Sequence, residues 1–249
     1  MPRFPAGCFQ VEVLIQGAMP SGIGIVPLRP APIFKGNYAL PCVVSLPDGH
    51  AQGGGPWRVL CFLHGDGEAA AYTGPGKGHK DIFDALQAHG PLSLGSSLPA
   101  NDFIVLVPQL PGQGGDRWVD YAASLNEILS AAKAEFNADL HHAYLTGFSY
   151  GANGVLDLGD RQAARWAALW PVDATRPFEQ NPKRPPTWLW YGTDTRDDNQ
   201  QTSKGFVKIG PKDTCPNTDK IVTKTRREHV PTAMRAYGDR RVYRWLSRW

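Results

Sequence analysis

Three stretches of this chain are apolar almost without a break and stop on glycine or next to proline: "WRVLCFLHG" from Trp57, "DFIVLVPQ" from Asp102 and "AYLTG" from Ala143. A strand wetted on one face alternates apolar and polar residues, whereas a strand covered on both faces does not. These runs therefore predict central strands of a largely parallel sheet with helices on both sides. The helices are legible too. Over Asp116–Ala138, the residues Trp118, Tyr121, Ala122, Leu125, Ile128, Leu129, Ala132 and Phe136 share one face at helical spacing. Shorter helices are expected over Asp81–His89, over Ala152–Asp160 and around Val242, Trp245, Leu246 and Trp249. Further strands are expected at Phe9–Ile15, Tyr38–Leu46, "WAALWP" and "TWLWYG". Strands come first and strand–helix alternation follows. That order predicts one α/β domain over residues 1–249, with an antiparallel edge at its start.

Residues 199–227 break the pattern. They are polar, carry seven basic residues against Asp213 and Asp219, and show little periodicity. A mobile loop or flap is expected there.

Composition removes several function classes. Hydrophobic residues make up 42% and charged residues 20%, which suits a globular chain rather than a disordered one. No apolar run approaches a membrane span. The first residues lack a charged start followed by an apolar block, so a cytoplasmic location is expected. A net charge of +3 is too small to argue for nucleic acid. Of the four cysteines, Cys42 and Cys61 lie inside apolar runs and are expected as buried thiols, and no spacing suits zinc. "GPGKG" at Gly74 lacks the rest of a phosphate loop and is expected as an ordinary loop.

The chemistry concentrates at Gly147-Phe148-Ser149-Tyr150-Gly151. A serine on a sharp strand-to-helix turn needs small residues two before and two after it, because the backbone doubles back there. A plain Gly/Ser turn shares this pattern, so the partners decide. A serine hydroxyl is a weak nucleophile and needs a base. In strand–turn–helix hydrolases the acid and then the histidine follow the serine. Six of the seven histidines precede Ser149, and only His229 follows it. His229 is the candidate base. The acid is expected in the loop after "TWLWYG", with Asp194 nearest the strand end and Asp197 and Asp198 as alternatives. Oxyanion donors are expected from the backbone N–H groups of Asp66, in "FLHGDGE", and of Tyr150. The His64 side chain is expected to brace that loop. No cofactor or metal is required for such acyl transfer.

At these residues the chain resembles the α/β-hydrolase esterases of the predicted peptidase and phospholipase–carboxylesterase group. The likeness runs from about Tyr38 to the C-terminus through "FLHGDGE", "AHGPL", "VPQLPG", "DRWVD", "AYLTGFSYGANGVLDL", "WAALWPV", "WLWYGTD" and "HVPTAMRAYGDRRVYRWL". It implies a mainly parallel sheet of about eight strands, Ser149 as nucleophile and His229 as base. The implied activity is hydrolysis of a small-molecule carboxylic ester. Peptide hydrolysis by the same residues and a non-catalytic binding protein of the same fold are the alternatives. Two positions depart from the family pattern. Tyr150 and Ala152 follow the serine where the family often has S-M-G-G, and the family's acid position falls on Thr195.

Overall fold

The apolar runs become the middle of a single eight-stranded sheet. The computed structural model describes residues 40–47, 49–50, 53–93, 102–112, 116–196, 203–210 and 212–249. The strand expected at Phe9–Ile15, together with Cys8, Asp197 and Asp198, lies outside the described residues. In chain order the strands are β1 (Cys42–Ser45), β2 (Trp57–Leu63), β3 (Phe103–Pro108), β4 (Ala138–Phe148), β5 (Ala168–Val172), β6 (Thr187–Gly192), β7 (Val207–Ile209) and β8 (Lys220–Thr225). The helices are α1 (Ile82–Leu86), α2 (Ala122–Phe136), α3 (Tyr150–Arg161), α4 (His229–Tyr237) and α5 (Arg240–Leu246). The spatial order of the strands is β1-β3-β2-β4-β5-β6-β8-β7. Only β1 runs antiparallel, against β3, as the strand-first sequence order predicts.

Alternating side chains send each central strand into two cores. From β2, Leu60 and Phe62 join Val105, Tyr144, Trp170, Trp188 and Trp190 under α4 and α5. Val59, Cys61 and Leu63 join Leu145 and Leu169 under α2 and α3. Both faces are thus covered, which is why these strands show no polar alternation. Cys42, Cys61 and Cys215 are free thiols. Burial pushes Cys42 up to about 12 and Cys61 well above the usual thiol range, so both stay protonated.

The long amphipathic segment differs in detail from its expectation. A short 3-10 turn, Trp118–Tyr121, comes first, and α2 proper starts at Ala122. α2 ends on Asn137 in the left-handed conformation (φ 54°), so the chain reverses directly into β4. The segment expected as a loop or flap, residues 199–227, differs from that expectation where it forms β7 and β8; residues 199–202 and 211 lie outside the described residues. β8 pairs with β6 along its whole length, from Thr187 opposite Lys220 to Gly192 opposite Thr225. Only Ile221 and Val222 give it apolar character, and both are buried. Its lysines keep their charged ends out, with the Lys224 Nζ 5.1 Å above the Tyr191 ring. Thr223 is buried because its hydroxyl accepts the indole N–H of Trp188 at 3.0 Å. Lysines and threonines hid a core strand. Among the described residues no helix is long and apolar enough to cross a membrane.

The β4–α3 turn is the tightest point of the fold. A Cβ on Gly151 would lie 1.9 Å from the carbonyl oxygen of Leu63, and one on Gly147 would lie 2.5 Å from the carbonyl oxygen of Gly151. Both obstacles are backbone, which cannot rotate aside. Gly151→Ala is expected to destabilise the protein by roughly 3 kcal/mol or more. Urea unfolding followed by circular dichroism measures this. A Gly112→Ala control, where nothing lies within 4 Å of the added Cβ, should unfold near the wild-type midpoint.

Candidate active site

Ser149 sits at the point where β4 becomes α3, with φ 59° and ψ −122°. A positive φ on a residue with a Cβ is uncommon and is retained where the surroundings enforce it. Here the Ser149 N–H is tied to the Val172 carbonyl at the end of β5 at 3.1 Å, while its own carbonyl already accepts Ala152 N–H in the first turn of α3. The side chain is left at the carboxyl end of the sheet with 9% exposure.

His229 opens α4. The later residues of α4 fix it in place. Ala233, Ala236 and Tyr237 are buried against the sheet, and the Tyr237 hydroxyl lies 3.2 Å from that of Thr146 on β4. This anchoring brings the His229 Nε2 to 2.9 Å from the Ser149 Oγ, so the structure joins the two residues that the sequence pairs. The Phe148 ring packs against the imidazole, with centroids 4.3 Å apart.

The carboxylate on the other imidazole nitrogen is Asp173, not Asp194. The His229 Nδ1 makes a short hydrogen bond to the Asp173 Oδ2. Asp194 is exposed, in the turn after β6. Asp173 leaves the end of β5, the strand beside the serine strand, and turns there with φ 54°. Its N–H donates to the Trp190 carbonyl at 2.7 Å and its Oδ1 accepts the Gly192 N–H at 2.8 Å. The side chain therefore bridges the ends of β5 and β6 and reaches the place an acid on the β6 loop would occupy. The signal was present in "WAALWPVDA", an aspartate directly after a buried strand.

Arg196 is a further neighbour the sequence reading missed. Its Nη2 lies 3.1 Å from the His229 Nδ1, and its Nε lies 3.8 Å from the Asp173 Oδ2. The Nδ1 can serve one of the two groups. As N–H it donates to Asp173; as a lone pair it accepts from Arg196. The Asp173 side chain is fully buried, and a buried carboxylate needs donors, which favours the first arrangement. Arg196 then balances the charge of Asp173.

The loop after β2 lies directly against this turn. A Cβ on Gly65 would lie 3.2 Å from the Ser149 Cβ. Asp66 follows Gly65 in this loop, and Tyr150 follows Ser149 as the first residue of α3. His64 braces the loop as expected. Its Nδ1 donates to the Gly65 carbonyl at 2.5 Å, its Nε2 accepts the Leu110 N–H at 3.0 Å, and its carbonyl accepts the Trp118 indole N–H at 3.1 Å. Both ring nitrogens are used by a neutral imidazole, and burial pushes its pKa below the ordinary value, against the pull of Glu68. Among the described residues no three His, Cys, Asp or Glu side chains converge as a metal site.

The bracing histidine links stability to pH. Unfolded, His64 takes up a proton below about pH 6.5; folded, it resists until lower pH. Its contribution is complete above about pH 6.5 and is lost as pH falls toward the depressed folded value. His64→Gln, which lacks that titration, is expected to be less stable at pH 7.5 and to lose less further stability between pH 6.5 and 5 than the wild type. Urea midpoints across that range read the difference.

No protein-family model matches the chain, and no curated protein matches it. Solved structures do. A thermostable esterase matches with a TM-score of 0.60 at 15% identity, over 84% of this chain and 58% of that esterase, so the chain spans little more than half its length. FphF, a fluorophosphonate-binding serine hydrolase of Staphylococcus aureus, matches at 0.55 and 13% identity over 86% and 94% of the two chains. An S-formylglutathione hydrolase from Agrobacterium tumefaciens matches at 0.58 and 13% over 86% and 92%. The mainly parallel sheet, the strand–serine–helix turn at its carboxyl end and these likenesses agree: the chain has the α/β-hydrolase fold.

Proposed function

We propose that this protein is a serine hydrolase that cleaves carboxylic esters through an acyl-enzyme. The observation that carries the proposal is the continuous chain from Ser149 Oγ through the His229 imidazole to the Asp173 carboxylate, on a serine held at positive φ. The hydroxyl of Ser149 attacks the ester carbonyl carbon while His229 Nε2 takes its proton. The resulting imidazolium is stabilised by Asp173 through the Nδ1–H. The oxyanion is received by the N–H groups of Asp66 and Tyr150. Collapse of the tetrahedral species expels the alcohol, which takes the proton back from His229. Water, activated by the same histidine, then frees the acid and restores the serine. The fluorophosphonate-binding and esterase activities of the structural neighbours support this class of chemistry at low identity.

Ser149→Ala is expected to lower turnover of a short activated ester by about 10⁴- to 10⁶-fold, with an unchanged circular dichroism spectrum. A fluorophosphonate probe is expected to label the wild type at Ser149 and to leave the variant unlabelled. Near-full turnover by a folded Ser149→Ala protein would exclude the proposal.

The acid gives a separate test. In Asp173→Asn the amide oxygen remains bound to the Gly192 N–H, which turns the amide NH₂ toward His229 Nδ1. An NH₂ there stabilises the tautomer whose Nδ1 carries a lone pair, and Nε2 then already holds a proton and cannot act as base. A loss of about 10⁴-fold in kcat is expected. Asp194→Asn, at an exposed turn, is expected to stay within about twofold. Steady-state kinetics on both variants distinguish them, and the reverse ranking would return the acid to the β6 loop.

A further inference from the structure

Two motif residues have no part in the reaction described above: Glu68 of "FLHGDGE" and His89 of "AHGPL". They lie 21 positions apart, and the fold brings them together. The Glu68 carboxylate makes a short hydrogen bond with the His89 Nδ1. Glu68 is 4% exposed. Its Oε2 lies 3.2 Å from the position a Gly65 Cβ would take, and the Ser149 Cβ lies 3.2 Å from that same position. A buried carboxylate therefore stands near Ser149, against the loop that carries the proposed oxyanion donor Asp66.

A bare negative charge there works against the reaction, because the transition state places a second negative charge nearby in a poorly solvated site. Burial pushes the Glu68 carboxyl up, but the hydrogen bond from His89 leads the effects that outweigh this and hold it below the usual range. It is the ionised form that the fold accommodates, so a counter-charge is needed. His64 does not supply it. It is fully buried and held neutral, its Nδ1 is 4.0 Å from the Glu68 Oε2, and that proton is spent on the Gly65 carbonyl. Gln109 donates to the Glu68 main-chain oxygen, not to the carboxylate. Tyr237 is buried, which keeps its phenol protonated. Asp66 adds charge of the same sign. His89 is the remaining side chain in contact with the carboxylate that can carry a positive charge. Its ring is partly exposed and packs 5.6 Å from the Phe148 ring, which in turn packs on His229.

We propose that His89 is the counter-cation of Glu68, and that the pair holds the oxyanion loop while keeping the carboxylate electrically silent beside Ser149. Glu68 serves the loop as an acceptor, and His89 removes the electrostatic penalty of having it there. His89 is a positioning and charge-balancing residue that does not touch the reacting atoms. The inference rests on the serine-hydrolase reading, and its tests include one that does not need turnover.

His89→Gln keeps an N–H donor for Glu68 and removes the positive charge. It is expected to melt near the wild type, to lower kcat by about 10- to 100-fold, and to change KM by less than about threefold. Removing the carboxylate as well, in Glu68→Gln/His89→Gln, is expected to recover at least tenfold of that loss. A purely structural brace predicts the opposite, a double variant as slow as the single one or slower. Wild-type kcat in His89→Gln, or a double variant without recovery, overturns the proposal. Independently of activity, ¹⁵N-histidine NMR of the wild type at neutral pH is expected to show His89 as an imidazolium, and Glu68→Gln to convert it to a neutral ring. A neutral His89 in the wild type overturns the proposal even if the enzyme is active. A charged His89 in a protein without ester turnover upholds the pairing and removes only the serine-hydrolase reading.

Discussion

The contact between the Gly151 backbone and the Leu63 carbonyl governs the geometry of everything around it. Helix α3 starts so close to the end of β2 that no side-chain atom fits between them. That closeness forces the turn between β4 and α3 into a conformation with positive φ at Ser149. It also presses the loop carrying Gly65 and Asp66 against the serine. Ser149 and the loop carrying Gly65 and Asp66 are thus placed by the same close packing.

A second layer fixes the partners. The sheet contributes from neighbouring strand ends: Ser149 from β4, Asp173 from β5 and the Gly192 N–H from β6, all at the carboxyl edge. α4 contributes His229 from its first residue because its far end is locked into an aromatic core. There Tyr237 meets Phe62 at 5.4 Å and Trp170 at 4.8 Å. A helix held by buried rings at one end presents its other end with little freedom. Pre-set geometry of this kind is what the proposed acyl transfer requires of a weak nucleophile such as a serine hydroxyl.

Legibility in the sequence followed burial. The strands β2, β3, β5 and β6 were plain because both their faces are covered, and α2 was plain because one face is. Ser149 and His229 were plain because chain order and turn sterics leave one candidate each. β8 was hidden because it uses threonines and lysine stems where a strand usually carries valine or isoleucine. Asp173 was hidden for a different reason. Position along the chain distinguishes the strand after the serine from the strand after that, but it does not say whether a carboxylate at one strand end can lean across to the next. The lean depends on the hydrogen bond from the Gly192 N–H to Asp173, between residues 19 positions apart. Glu68 and His89 lie in sequence motifs, yet their pairing is a contact across the fold that spacing alone does not contain.

Because Asp173 stands at the end of β5, the turn after β6 does not have to supply the carboxylate that meets His229. Asp173 is anchored by the Gly192 N–H of β6 and is also met by the Thr195 and Arg196 side chains, so the turn still acts on a carboxylate that it does not carry. Among the described residues of this turn, Arg196 reaches the imidazole and the Asp173 carboxylate together. The fold has divided two tasks that an acid on the β6 loop would combine: the end of β5 supplies the carboxylate, and the turn after β6 supplies the guanidinium that faces it.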